Sequence, residues 1–147
     1  MKLADDEARA RLVDHDHGVL ATVHAVRGVD AVPVVYAVDG RHLAVPIDRV
    51  KPKSSRRLQR ERNLEADHRA TLLVESWDRD DWSQLWWVRA TLRWDPDPDA
   101  ERIEALATLL AHRYPQYADR PFAGLLVFLI VGATGWTADP TDRPPNA

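Results

Sequence analysis

The sequence predicts a small α+β protein built on a six-stranded antiparallel β-barrel with peripheral helices. Three observations carry that prediction. Short strand-like runs recur along the chain, at Val19–Val26, which is β-branched and alternates, and at Ala31–Val38, His42–Ile47, Thr71–Ser76, Gln84–Trp94 and Leu125–Val131. Hairpin signals join several of them, the strongest being Asp39-Gly40, which reads as a type I′ turn. Helical patterns interrupt the strand series at only two internal points, which gives a small antiparallel barrel with α+β character.

Along the chain, Asp5–Val13 predicts a short helix with Ala8, Leu12 and Val13 on one side. Arg27-Gly28-Val29-Asp30 separates the first two strands. Pro33 lies within the second, which therefore belongs at an edge or a bulge. Pro52 precedes a helix capped by Ser54 or Ser55 and running to about Ala66. Leu58, Asn63 and Leu64 give it no wide apolar stripe, so it lies on the surface. Asp95–Asp99 (DPDPD) breaks the sheet, and Ala100–Tyr114 places Ile103, Leu106, Leu109 and Leu110 at helical spacing. The sixth strand is expected to continue through Gly135-Trp136-Thr137. Residues 1–138 read as one domain and 139–147, polar and Pro-rich, as a disordered tail.

A chain of 147 residues buries roughly two-thirds of its unfolded surface, enough for one core. It has no cysteine, which excludes disulfides, zinc–thiolate sites and thiol catalysis. The N-terminal MKLADDEARARL lacks the apolar segment of a signal peptide, and Gly124–Ala133 is about half the length that spans a bilayer. A cytoplasmic protein with no membrane partner is the expectation.

Charge is concentrated in one place. From Arg49 to Arg62 the chain reads RVKPKSSRRLQRER, with seven basic residues against Glu61, a net +6. The whole chain is −3, so the remainder sums to −9. Positive charge at a helix N-terminus opposes the helix dipole unless an anion sits there, and helix N-termini are natural phosphate sites. A phosphorylated ligand follows, with Lys53 and Ser54 bearing it most directly. Arg60 and Arg62 read as plain surface charge. A solvated helix face is the alternative, though Glu61 and Glu65 are the only acids available to pair with it. Nucleic acid is a poor partner: the rest of the chain would repel a phosphate backbone, and no aromatic interleaves the basic run.

Six Trp residues stand out in so short a chain. Trp86 and Trp87 are neighbours on one strand and must face opposite sides, so one faces the core and the other solvent, a ligand or a second subunit. His15 and His17 have the spacing of a metal pair but no third ligand nearby in sequence, so a helix end and turn is the reading, with no metal expected. Glu75, Asp78, Asp80 and Asp81 flank a loop and read as solvated charge. HExxH, GxSxG, Walker and GxGxxG motifs are absent.

The succession GVLATV, AVPVVYAVDG, HLAVPID, KPKSSRRLQRERNLEAD, ATLLVESWD and LWWVRATLRW, closed by T-G-W, resembles the pyridoxamine-5′-phosphate-oxidase-like FMN-binding split-barrel proteins. It is most similar to their coenzyme F420-dependent branch, over about Leu12–Ala138. The resemblance implies a homodimer of six-stranded split barrels with two cofactor clefts at the dimer interface. It implies an oxidoreductase passing a hydride between a deazaflavin, coenzyme F420, and a small unsaturated organic substrate. FMN is the alternative cofactor, and a non-catalytic flavin or haem carrier or sensor the alternative role. Carried over, Val34, Val35, Tyr36, Val45, Pro46 and Ile47 would edge the ring. Lys51, Lys53, Ser54, Arg56 and Arg57 would hold phosphate, and Trp87 and Trp136 would be walls offered by the partner. No acid or base is assigned, because the hydride chemistry belongs to the cofactor.

Overall fold

Eight strands and three helices make up the computed structural model, which describes residues 1–48, 58–139 and 141. In chain order these are β1 (Lys2–Leu3), α1 (Asp5–Asp14), β2 (His17–His24), β3 (Gly28–Val35), β4 (Ala37–Asp39), β5 (His42–Asp48), α2 (Gln59–Ala66), β6 (Arg69–Ser76), β7 (Trp86–Asp95), α3 (Ala100–Arg113) and β8 (Phe122–Thr137). Every strand pairing is antiparallel, and the order across the sheet is β3-β2-β6-β7-β8-β5-β4, with β1 added on β8. The two edges, β3 and β4, are consecutive in the chain with only Tyr36 between them. The sheet must therefore curl until its edges meet, which is a barrel that stays open along one seam.

Two differences raise the count from six strands to eight. The N-terminal Lys2–Leu3 pairs with Trp136 and Gly135, an addition too short to carry a sequence pattern. The expected strand Ala31–Val38 is two strands broken at Tyr36. Its side chain is fully buried and its hydroxyl donates to the Leu12 carbonyl at 2.5 Å, so the chain turns inward there. Pro33 sits on edge strand β3, where its missing N–H leaves no ladder partner unsatisfied. The hairpin at Asp39-Gly40 pairs Asp39 with His42, placing Gly40 first in a Gly40-Arg41 loop. Gly40 has φ +59°, whereas Arg41 is not in the positive-φ region. The turn is therefore of the II′ rather than the I′ kind, since II′ needs positive φ only at its first central residue.

β8 is the spine of the barrel. Its first half pairs with β5, and from Val127 to Thr137 it runs along β7. The inward residues of the sheet, Leu20, Leu72, Val88, Leu92, Leu43 and Phe128 among them, are essentially inaccessible. Leu12 from α1 and Leu64 from α2 join that core. Leu106, Ala107 and Leu110 of α3 are buried, and Leu106 and Leu110 pack on Ala37, Ala44 and Val127 on the outside of the sheet. Ile103 and Leu109 stay 38% exposed, so the apolar stripe of this helix is narrower than its sequence spacing predicts.

Gly135, in the terminal T-G-W, is explained by a close backbone approach. A Cβ there would lie 2.6 Å from the Trp87 carbonyl and 2.9 Å from a Leu3 methyl. Gly132, three residues earlier, has open space. Gly135→Ala should therefore cost about 1–3 kcal/mol of stability. Gly132→Ala should stay within about 0.5 kcal/mol of the parent, as exposed substitutions do. Urea melts of the two variants check this. Among the described residues, no helix is long and apolar enough to cross a membrane.

Candidate functional site: the seam between β3 and β5

The seam of the barrel is where strand pairing runs out. β4 covers only His42–Ala44 of β5, leaving Val45–Asp48 without a neighbour on that side. β3 is the other edge and faces the same gap. Pro46, which has no N–H to leave unpaired, suits such an open edge. Between the two strands lies a cleft of about 300 Å³. Pro33, Val34, Val35, Val45 and Pro46 form its apolar walls, and His17, Asp48, Arg60 and Tyr117 bring polar groups to it.

Arg60 reaches the cleft because α2 is pinned. Asn63, 4% exposed, donates to Thr22 Oγ1 at 3.0 Å and to Asp30 Oδ2 at 2.9 Å. Gln59 Nε2 donates to Asn63 Oδ1 at 2.9 Å. One turn of helix is thus stitched to the β2–β3 hairpin. Arg60 Nε is buried and has no hydrogen-bond partner among the described residues. A buried guanidinium N–H left unpaired costs free energy, and an anionic ligand in the cleft would satisfy it.

Also at the cleft, Tyr117 donates its hydroxyl to Asp48 Oδ1 at 2.8 Å. Burial, followed by the bond to this carboxylate, raises the Tyr117 phenol to about 12. It therefore stays protonated at neutral pH as a donor, while Asp48 keeps acceptor capacity for a hydroxyl. An apolar slot with a cation and a carboxylate at its margins suits a flat apolar group attached to a hydroxylated, phosphorylated chain.

Asp30 couples this anchoring to pH. The Arg27 guanidinium, then Asn63, holds its carboxyl at about 2, below the ordinary 3.8. A carboxylate depressed in the folded state contributes stability above 3.8, and that contribution fades as pH falls toward 2. Urea midpoints should therefore drop across this window in the wild type and drop less in Asp30→Asn.

Val34, Val35, Val45 and Pro46, which the resemblance would set at a ring edge, line the cleft together. Tyr36 does not edge it: strand alternation and the Leu12 bond turn its ring into the core. Ile47 packs, half-buried, against the barrel core. Lys51, Lys53, Ser54, Arg56 and Arg57 lie outside the described residues. Trp87 and Trp136 face each other across β7 and β8, with Trp136 37% exposed, and neither lines the cleft of its own chain. Trp86 takes the inner side, packing on the core with Arg11 over its ring at 5.2 Å.

The helix after the basic run starts later than expected, at Gln59, with Leu58 as its cap. Glu61 accepts from the Leu58 N–H at 2.8 Å, which fixes that start. Arg60 therefore lies in the first turn and points into the cleft, a correction to its reading as plain surface charge. Arg62 remains at the surface, donating to Gln59 Oε1 at 2.8 Å. Asp48 and Tyr117 carried no signal: one is an unremarkable strand end, the other lies in a connection between α3 and β8 that only the fold brings to β5.

No protein-family model matches the sequence, and no curated protein matches it. Solved structures do. An FAD-binding protein from Mesorhizobium loti superposes with a TM-score of 0.68 at 18% identity, covering 92% of this chain and 93% of that one. The fold is one that flavin-binding and haem-binding proteins share. A haem-binding protein from Mycobacterium smegmatis matches with a TM-score of 0.67 and 17% identity, over 92% of this chain and 58% of that one. A putative pyridoxamine 5′-phosphate oxidase from Corynebacterium glutamicum matches with a TM-score of 0.55 and 15% identity, over 93% and 98%. The antiparallel α+β sheet is compatible with the split barrel that the resemblance implies, with eight strands in place of six.

Proposed function

We propose that the chain is a split-barrel oxidoreductase that holds a phosphorylated flavin-type cofactor in the seam between β3 and β5. Coenzyme F420 is the preferred cofactor and FMN the alternative. The observation that carries this reading is Arg60: a buried guanidinium N–H, unpaired among the described residues, at the margin of an apolar slot. When bound, the cofactor supplies hydride transfer to or from a small unsaturated substrate. Val34, Val35, Val45 and Pro46 would bind the ring and exclude water from it. Arg60 would hold the phosphate by charge-assisted bonds, joined by Lys51, Lys53, Ser54, Arg56 and Arg57. Asp48, with Tyr117 bonded to it, would accept from hydroxyls of the connecting chain. No residue here is assigned as acid or base.

The working form is proposed to be a homodimer. Register aligns Pro33, Val19, Leu73 and Arg89 across the outer face of the sheet. Val19 and Leu73 are 39% and 41% exposed, and Trp136 stands on the same sheet. Apolar surface so displayed favours association, and Trp87 and Trp136 would then be offered to the partner. Light scattering at micromolar concentration should give twice the chain mass; a monomer would remove the partner walls.

A haem or flavin carrier without turnover is the second reading, favoured by the haem-binding protein of the same fold. Expression in an F420-producing host, followed by mass spectrometry of the retained cofactor, separates these. A deazaflavin that is reoxidised by an added electron acceptor supports the proposal. Retained haem, or a reduced cofactor that no acceptor reoxidises, supports the carrier.

A further inference from the structure

We propose that His15, Asp16 and His17 form a binding site for a divalent transition-metal ion of the zinc type, beside the cleft. The inference does not rest on the flavin reading. α1 ends at Asp14, and the chain passes through extended backbone at His15 into β2, which His17 opens. Two residues apart on extended backbone, the two imidazoles fall on one side, stacked with ring centroids 5.4 Å apart and planes 29° apart. Asp16 Oδ1 lies 2.9 Å from His17 Nδ1. One donor atom from each of the three residues lies within 4.8 Å of the other two. Two imidazole nitrogens and one carboxylate oxygen suit zinc, nickel or copper and not the oxygen-seeking magnesium or calcium.

The triplet is held from outside as ligand sets commonly are. The His15 ring packs edge-on against Trp86 at 5.2 Å. From the end of α3, the Arg113 guanidinium donates to the carbonyls of Val13 and His15, and the Tyr114 hydroxyl donates to the Asp16 carbonyl. The backbone at His15 and Asp16 is thereby held, and His17 pairs with Val35 as the first residue of β2, although the side chains of Asp16 and His17 are 69% and 70% exposed. Core packing therefore does not account for either side chain. The Arg113 guanidinium near His15 is turned to backbone oxygens. Three protein ligands leave a coordination position open. His17 also lines the cleft, so that position would be available to water or to an oxygen of a molecule bound there.

Calorimetric titration of the untagged full chain with zinc chloride tests this. One zinc per chain is expected, with affinity reduced at least about tenfold in His17→Ala and in Asp16→Asn. Both side chains are exposed, so thermal melts should show the variants folded. His112→Ala, on the exposed side of the last turn of α3, should bind zinc like the wild type. Absence of saturable zinc binding, or equal affinity in wild type and His17→Ala, would overturn the proposal.

Discussion

Arg60→Ala should raise the dissociation constant for coenzyme F420 or FMN by roughly tenfold to a hundredfold. A hydrogen bond to a charged group contributes about 1.5–3 kcal/mol, and each 1.4 kcal/mol is about tenfold in affinity. The cofactor-free protein should melt at the same temperature or higher, because the buried Nε has no partner to lose among the described residues. Arg62→Ala, two residues on and bonded to Gln59 at the surface, should leave affinity unchanged. Fluorescence titration of both variants, with melts in parallel, measures all three effects. Equal loss in both would mean that the basic segment attracts anions by general charge and that Arg60 has no special place.

Tyr36→Ala should be the most destabilising single change in the seam region, at about 3–5 kcal/mol, the range for emptying a buried aromatic site. Domains of this kind are stable by only about 5–15 kcal/mol, so the variant should be near the edge of folding at 37 °C. Tyr36→Phe should cost about 1–3 kcal/mol, because the Leu12 carbonyl would lose its donor inside the protein. Cofactor affinity should be unaltered in Tyr36→Phe. The contrast matters because the residue sits between two strands that bear on the cleft. If Tyr36→Phe bound the cofactor poorly and melted normally, the hydroxyl would belong to the site and the core assignment would fail. Chemical denaturation followed by circular dichroism, with titration of the folded variant, supplies both readings.

Much of the fold was legible because period-2 alternation records which face of a strand is buried. β2, β5, β6 and β7 lie within two or three residues of their expected bounds. The break at Tyr36 was not legible: AVPVVYAV is one continuous apolar run, and the bond that holds Tyr36 is a tertiary one, to Leu12. The start of α2 was misplaced because Ser54 and Ser55 are better cap residues than Leu58 by type. Here the Glu61 carboxylate, reaching back to the Leu58 N–H, decides instead. Four of the five apolar cleft residues could be reached from the resemblance, whereas Pro33 and the polar ones could not. Asp48, Tyr117 and His17 come from three distant stretches that meet only when the sheet curls. In the sequence Arg60 reads as surface charge, because a basic run looks uniform. Asn63 singles it out by fixing the rotation of α2.

The central claim is that the β3–β5 seam holds a phosphorylated flavin-type ring. The most direct measurement is an isothermal titration of the purified, cofactor-free chain with coenzyme F420, FMN and haem in turn, repeated with Arg60→Ala. Saturable binding of coenzyme F420 or FMN at one per chain, weakened at least about tenfold by Arg60→Ala, is the expected result. Failure of both flavin-type cofactors to bind, or haem binding alone, would contradict it.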